Sequence, residues 1–225
     1  MPFSARTLDF LFENRLNNSR EWFKEHKNEY KELVEQPFKE FTDKLAPYIA
    51  DIDSGASLMR ISRIYRDVRF VKDGFIFREN MWCTFGRMRD LYKAMPAFYF
   101  DISAAGFEYG CGYYCASSES MEAFRQLILS DSPYYIAAYN DFSNQDIFEM
   151  YGDIYKKNRF PAESPEKCSW LNRKTVGICS PRNDDFELMF SDRLADRVGE
   201  DLQKMASFYD LLMKAEELAA EKRAK

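Results

Sequence analysis

The sequence predicts an α+β protein: a helical N-terminal third, a central, mostly antiparallel sheet, and a long C-terminal helix packed across it. Three observations carry this. Apolar residues recur every three or four positions up to about residue 50, aromatic and β-branched residues broken by glycine fill the middle, and helical spacing returns after Ser191. No Gly/Ser- or Pro-rich linker, internal repeat or low-complexity tract interrupts this order, so residues 1–225 are expected to form a single domain. With 225 residues, 46% hydrophobic and 16% aromatic, the chain has ample apolar mass for a core.

Leu8, Leu11, Phe12 and Leu16 mark a first helix. Asn17-Asn18-Ser19 ends it, and Asn18 with Glu21 three residues on resembles a capping box for a second. That helix carries Trp22, Phe23, His26, Tyr30, Leu33 and Val34 on its buried side. Pro37 suits the first turn of a third, with the stripe Phe38, Phe41, Leu45, Tyr48, and Pro47 suggests that it stops early. Phe98–Ile102 and Phe107–Tyr114, separated by Ala104-Ala105-Gly106, read as an antiparallel hairpin. Met81–Phe85 and Thr175–Cys179 are further strand candidates, and Gly110 and Gly112 mark a bulge or a close backbone approach. Ser117-Ser118 cap a helix through Met121, Phe124, Leu127 and Ile128, and Ser132-Pro133 opens another. Phe160–Pro165 is a loop. Leu194, Val198, Leu202, Met205, Tyr209 and Leu212 predict one helix from about Asp192 to Ala220, capped by Ser191 or Asp192 and about 43 Å long at 1.5 Å per residue.

Composition narrows the function classes. A formal charge of −5 opposes general nucleic-acid binding, which needs a basic face. The chain shows no secretory pattern at its start and no apolar run near the roughly 18 residues that span a bilayer, so no membrane partner and a cytoplasmic location are expected. Five scattered cysteines, an odd number, read as reduced thiols; Cys111 and Cys115 would share a face if the strand ran that far, and fit small buried hydrophobes better than zinc ligands. His26 is the single histidine and sits on an apolar stripe, which suits a hydrogen-bonded residue at the core edge. No metal, nicotinamide or other cofactor is therefore expected. The oligomeric state is not written in the sequence.

One stretch stands apart. Arg60-Ile61-Ser62-Arg63-Ile64-Tyr65-Arg66-Asp67-Val68-Arg69-Phe70 threads four guanidinium groups and a carboxylate between apolar residues. Guanidinium groups resist burial unless paired, so they need carboxylates, carbonyls or an anionic ligand nearby. Periodicity favours a helix here and composition a strand; we expect a strand ending near Tyr65 and leading into a loop, with Arg63, Tyr65, Asp67 and Arg69 on one face and Arg60, Ser62 and Arg66 on the other.

The motifs Phe10-Leu11, Asn17-Asn18-x-Arg20-x-Trp22-Phe23, Tyr30, Pro37-Phe38, Arg60-Ile61-x-Arg63 and Tyr65-Arg66-Asp67-Val68-Arg69-Phe70-x-Lys72-Asp73 resemble, in order and over nearly the whole chain, the bacterial and fungal family known as domain of unknown function 2461. The resemblance brings no activity with it. Where that family usually shows serine, then Lys-Asp-Lys and Pro-Tyr-Lys, this chain has Val71, Gly74, Ile76-Phe77 and Arg78, which implies a less basic and more apolar segment. The Phe160-Pro161 loop and Lys174 resemble a later segment of the family.

The leading expectation is a site for a small anionic ligand, phosphate or carboxylate, formed from Arg60, Arg63, Arg66, Arg69, Lys72, Arg78 and Lys174, with Asp67 and Asp73 orienting the arginines. The competing reading makes the same arginines internal clamps paired with Asp67 and Asp73. A second function class is an enzyme in which Asp67 or Asp73 is a general base and the arginines stabilise negative charge, although no nucleophile elbow, phosphate loop or dinucleotide fingerprint accompanies it. A third is a protein-interaction module using exposed aromatics, with the arginines structural.

Overall fold

In the computed structural model, which describes residues 3–67, 69, 72–87 and 95–223, alternation of buried and half-buried residues organises the centre of the chain. Strands β1 (Leu58–Ile61), β2 (Asn80–Gly86), β3 (Ala97–Ser103), β4 (Gly106–Gly112), β5 (Glu149–Tyr151) and β6 (Gly177–Cys179) form one antiparallel sheet in the order β1-β2-β3-β4-β6-β5. Met81, Cys83 and Phe85 of β2, Phe98, Phe100 and Ile102 of β3, and Phe107, Tyr109 and Cys111 of β4 are buried, as period-two geometry requires of a sheet with one face in the core. The expected hairpin is β3–β4.

The core is completed by helices. α1 (Ala5–Asn17) ends on Asn18 in the left-handed conformation, φ 48°. α2 (Arg20–Glu25) is capped by Ser19, whose Oγ accepts from Trp22 N at 3.2 Å. α3 (Lys27–Tyr30) runs through a π-helical turn, Lys31–Glu35, into α4 (Gln36–Ile52). Pro47 does not stop α4: burial of Leu45 and Ile49 on either side of it outweighs the lost backbone bond. The α1 stripe is also narrower than its spacing suggests. Phe10 and Leu11 are buried, whereas Phe12 and Leu16 are 60% and 68% exposed.

α5 (Ser118–Leu129), α6 (Pro133–Ser143), α7 (Pro165–Leu171), α8 (Phe186–Met189), α9 (Leu194–Gln203) and α10 (Ala206–Arg223) complete the chain. The single helix expected from Asp192 is two. It breaks at Lys204 and Met205, so α9 packs on α4, with Gly199 against the Tyr48 ring, while α10 packs on α5 and α6. Neither Ser191 nor Asp192 is its cap; Arg193 holds that position. β4 ends at Gly112, so Cys111 is buried and Cys115 is exposed, and the shared face expected for the two thiols does not form. His26 stacks on Trp22, ring centroids 4.0 Å apart, and its Nδ1 lies 2.8 Å from Trp22 O, the core-edge role expected of it. Among the described residues no helix is long and apolar enough to cross a membrane.

Helices and sheet are tied by buried carboxylates. Tyr109 of β4 donates to Asp201 of α9 at 2.7 Å, Tyr113 to Glu216 of α10 at 2.6 Å, and Tyr209 of α10 to Asp53, just past α4, at 2.8 Å. The Asp201 side chain is fully buried and also accepts from Arg197 and Lys204 at 2.6 and 2.8 Å. Burial pushes its pKa up, but the bonds from Lys204, Arg197 and Tyr109 outweigh this and hold it below the usual aspartate value.

A carboxylate with a depressed folded pKa stabilises fully above its unfolded value, near about 3.9, and loses that contribution as pH falls through the folded value. Asp201→Ala should therefore cost about 2–4 kcal/mol in urea denaturation at pH 7, because Tyr109 Oη is left buried without an acceptor. The difference between wild type and variant should shrink as the titration is carried below about pH 4. A constant difference across that range would show that the charge is not what stabilises.

Candidate functional site

The sheet face turned away from the helices is formed by the other half of each strand. Register places Trp82, Asp101 and Glu108 in one row across β2, β3 and β4. Arg60, Thr84, Tyr99, Gly110 and Cys179 form the next, and Gly112, Gly177 and Tyr151 the one beyond. Of these rows, Trp82, Thr84, Tyr99, Gly112, Tyr151 and Cys179, with the two carboxylates, line a cleft of about 740 Å³, walled by Tyr114, Met95 and Arg78.

Glycine makes the floor possible. A Cβ on Gly110 would run into the Ile178 carbonyl, and one on Gly177 would land inside the Tyr151 ring, which lies flat across the strand. Burial raises the pKa of the Tyr99 and Tyr151 phenols, and burial followed by Glu108 and Glu149 raises that of the Cys179 thiol, so the cleft presents neutral hydroxyl and thiol groups. The Asp101 carboxylate is occupied: Arg182 donates to it at 2.6 Å and Asn80 at 2.5 Å, and Arg182 also reaches Glu108 at 3.1 Å.

Arg78 is a cation on the cleft wall that is bonded to none of these carboxylates. Its Nε donates to Arg63 O at 3.1 Å, and its Nη groups meet no protein acceptor among the described residues. Burial, then Arg66 and Arg63, push its pKa down, with only Asp101 opposing. A second cleft of about 660 Å³ adjoins the first, sharing Asp101 and walled by the exposed Phe12 and Leu16 with Phe75 and Arg15.

The structure divides the residues singled out by the sequence. β1 ends at Ile61, four residues earlier than expected, because Ser62 turns to accept from Trp82 N at 3.0 Å; pairing resumes as a Tyr65–Phe77 bridge. Val68, Phe70 and Val71 lie outside the described residues. Arg66 donates to both oxygens of Asp73, at 2.6 and 2.9 Å, and to Phe75 O at 3.2 Å, fastening the two sides of the loop. Arg69 grips Asp67 with two bonds, 2.9 and 2.5 Å. Arg63 and Lys72 are exposed, and Arg60 shares the open face with Thr84. Lys174 stands beyond the opposite edge of the sheet, 3.8 Å from Asp153, so the nine residues form no single site.

The two aspartates are poorly placed as bases. The Arg69 side-chain and backbone bonds hold Asp67 down at about 2; for Asp73 burial pushes up, but the bonds from Phe75 N and Arg66 prevail. A general base at neutral pH needs the opposite displacement. Among the described residues no group of three or more His, Cys, Asp and Glu is placed to hold a metal ion.

The fold and this site define an α+β protein with a one-sided antiparallel sheet whose free face is an aromatic, glycine-floored cleft. The chain belongs to the conserved hypothetical protein family DUF2461, whose sequence model matches residues 6–211. No curated protein matches it.

The Tyr151–Gly177 contact is testable on its own. Gly177→Ala should destabilise by about 1–3 kcal/mol through overpacking, while in a Tyr151→Ala background the same change should cost at least about 1 kcal/mol less, since the three nearest atoms that the new methyl would meet all belong to that tyrosine side chain. Additive chemical-denaturation energies would contradict the contact.

Proposed function

We propose that this protein binds a small anionic molecule with a flat or apolar body in the open-face cleft, the anion on Arg78 and the body against Trp82, Tyr99 and Tyr151. One observation carries the reading: a half-buried guanidinium with unsatisfied Nη groups faces an aromatic floor whose two carboxylates are already engaged by Arg182. A volume of about 740 Å³ is within the range of small-molecule sites. An anion on Arg78 would relieve the repulsion from Arg63 and Arg66, and a desolvated guanidinium–oxyanion pair contributes roughly 1.5–3 kcal/mol. Arg66 with Asp73 and Arg69 with Asp67 are then the clamps that hold the Arg78 loop in place. The free cysteines support a reducing, cytoplasmic setting.

Support for binding over catalysis comes from the depressed aspartates and the protonated thiol beside Tyr99. Phenyl phosphate, which joins a ring to a dianion, is a suitable probe. Its titration should change Trp82 fluorescence saturably, and the change should be lost in Trp82→Phe. Arg78→Ala should weaken binding at least about tenfold, Arg78→Lys less, and Lys174→Ala not at all. Equal affinity in wild type and Arg78→Ala would sink the reading.

A further inference from the structure

Beyond β5 and β6 the chain continues as a two-stranded ribbon. Lys174 N donates to Asp153 O at 2.7 Å, and Tyr155 N to Asn172 O at 2.8 Å. Three cations gather on the Tyr155 ring: the Arg159 guanidinium carbon lies 3.5 Å from its centroid, that of Arg125 5.6 Å, and Lys174 Nζ 6.0 Å. Arg125 is largely spent on the Leu171 and Arg173 carbonyls, at 3.0 and 2.7 Å. The Arg159 guanidinium has no hydrogen-bond or carboxylate partner among the described residues, in a chain whose 37 acidic residues outnumber its 32 Lys and Arg. Among the described residues Asp153 is the one carboxylate paired with Lys174, at a loose 3.8 Å.

The arrangement is also held in place. Buried Asn172 accepts from Arg159 N at 2.9 Å through Oδ1, and its Nδ2 donates to Asn158 Oδ1 at 2.8 Å, which in turn accepts from Phe160 N at 2.9 Å. Stacking on Tyr155 orients the Arg159 fork, so little side-chain freedom is left to lose when an anion binds. Lys156 and Lys157, both exposed, lie between the ring and the arginine in sequence and raise the local potential.

We propose that Arg159 and Lys174, assembled on Tyr155, form a second anion site, separate from the open-face cleft, that takes the phosphoryl group of a small phosphorylated molecule. Arg159 supplies a bidentate fork, and Lys174, released from Asp153, a point charge.

Inorganic pyrophosphate, followed through the arginine Nε–Hε resonances by NMR at low ionic strength, tests this. The Arg159 signal should move saturably in the millimolar range while the Arg78 signal sets an independent curve. Arg159→Ala should weaken this site about tenfold, Tyr155→Leu should weaken it with the charge retained, and Asp153→Asn should tighten it about threefold by freeing Lys174. All these positions except Tyr155 are exposed, and the far-ultraviolet circular dichroism of each variant checks folding. The proposal is overturned by an Arg159 signal that stays still, by unchanged affinity in Tyr155→Leu, by weaker or unchanged affinity in Asp153→Asn, or by loss of the response in Arg78→Ala, which would assign the anion to the cleft.

Discussion

Three tyrosine hydroxyls bonded to carboxylates set the shape of this molecule. Tyr109 to Asp201, Tyr113 to Glu216 and Tyr209 to Asp53 each join distant parts of the chain, and all lie on the helical side of the sheet. A buried phenol without an acceptor is costly, and so is a buried carboxylate without donors, so each bond fixes both partners. They draw α4, α9 and α10 onto one face, leaving the other to whatever the strands themselves present. The open cleft is the counterpart of this one-sided packing.

An uncovered face of an antiparallel sheet is ordinarily polar. Here it carries Trp82, Tyr99 and Tyr151 over glycines, with charge at Arg78, at the Arg182–Asp101–Glu108 cluster, and at Arg60 and Glu149 toward the two sheet edges. Arg182 spends its fork on Asp101, Glu108, Ser103 and the Gly106 carbonyl, so it locks the β3–β4 hairpin to the segment after β6 and contributes little free charge. Arg78 lines the same cleft as these carboxylates without bonding to them.

Much of the fold was legible because it is written in periodicity: the β3–β4 hairpin, β2, α5 and α6 follow alternation or helical spacing with few competing signals. The misreadings have physical causes. Helical spacing runs unbroken through Lys204 and Met205, since both halves bury residues at the same period, and only the different neighbours of α9 and α10 demand a break. Phe12 and Leu16 fit a stripe yet remain exposed, because spacing does not tell which side a neighbour occupies. Of the site, the arginine motif was visible but its division was not. Arg66 and Asp73, seven residues apart, meet only because the loop folds back through Tyr65 and Phe77. No sequence motif marks Trp82, Tyr99 and Tyr151 as site residues, although an aromatic on the polar beat of a strand is a signal that points to them.

The division of the arginines shows how cations so close in sequence are accommodated. Arg66 and Arg69 are paired with Asp73 and Asp67 within hydrogen-bond distance, so these two arginines have counterions within their own segment. The residual repulsion falls on Arg78, whose position is set by the backbone bonds of Arg78 N to Ile64 O at 2.9 Å and of Arg66 N to Ile76 O at 2.8 Å. Those bonds fix its main chain, and the Nε bond to Arg63 O at 3.1 Å aims the guanidinium, so the charge is held in the cleft by backbone carbonyls and not by a carboxylate. Clamp and site are therefore not alternatives here: Arg66 and Arg69 fasten the loop to its own carboxylates, and Arg78 is the arginine that lines the cleft.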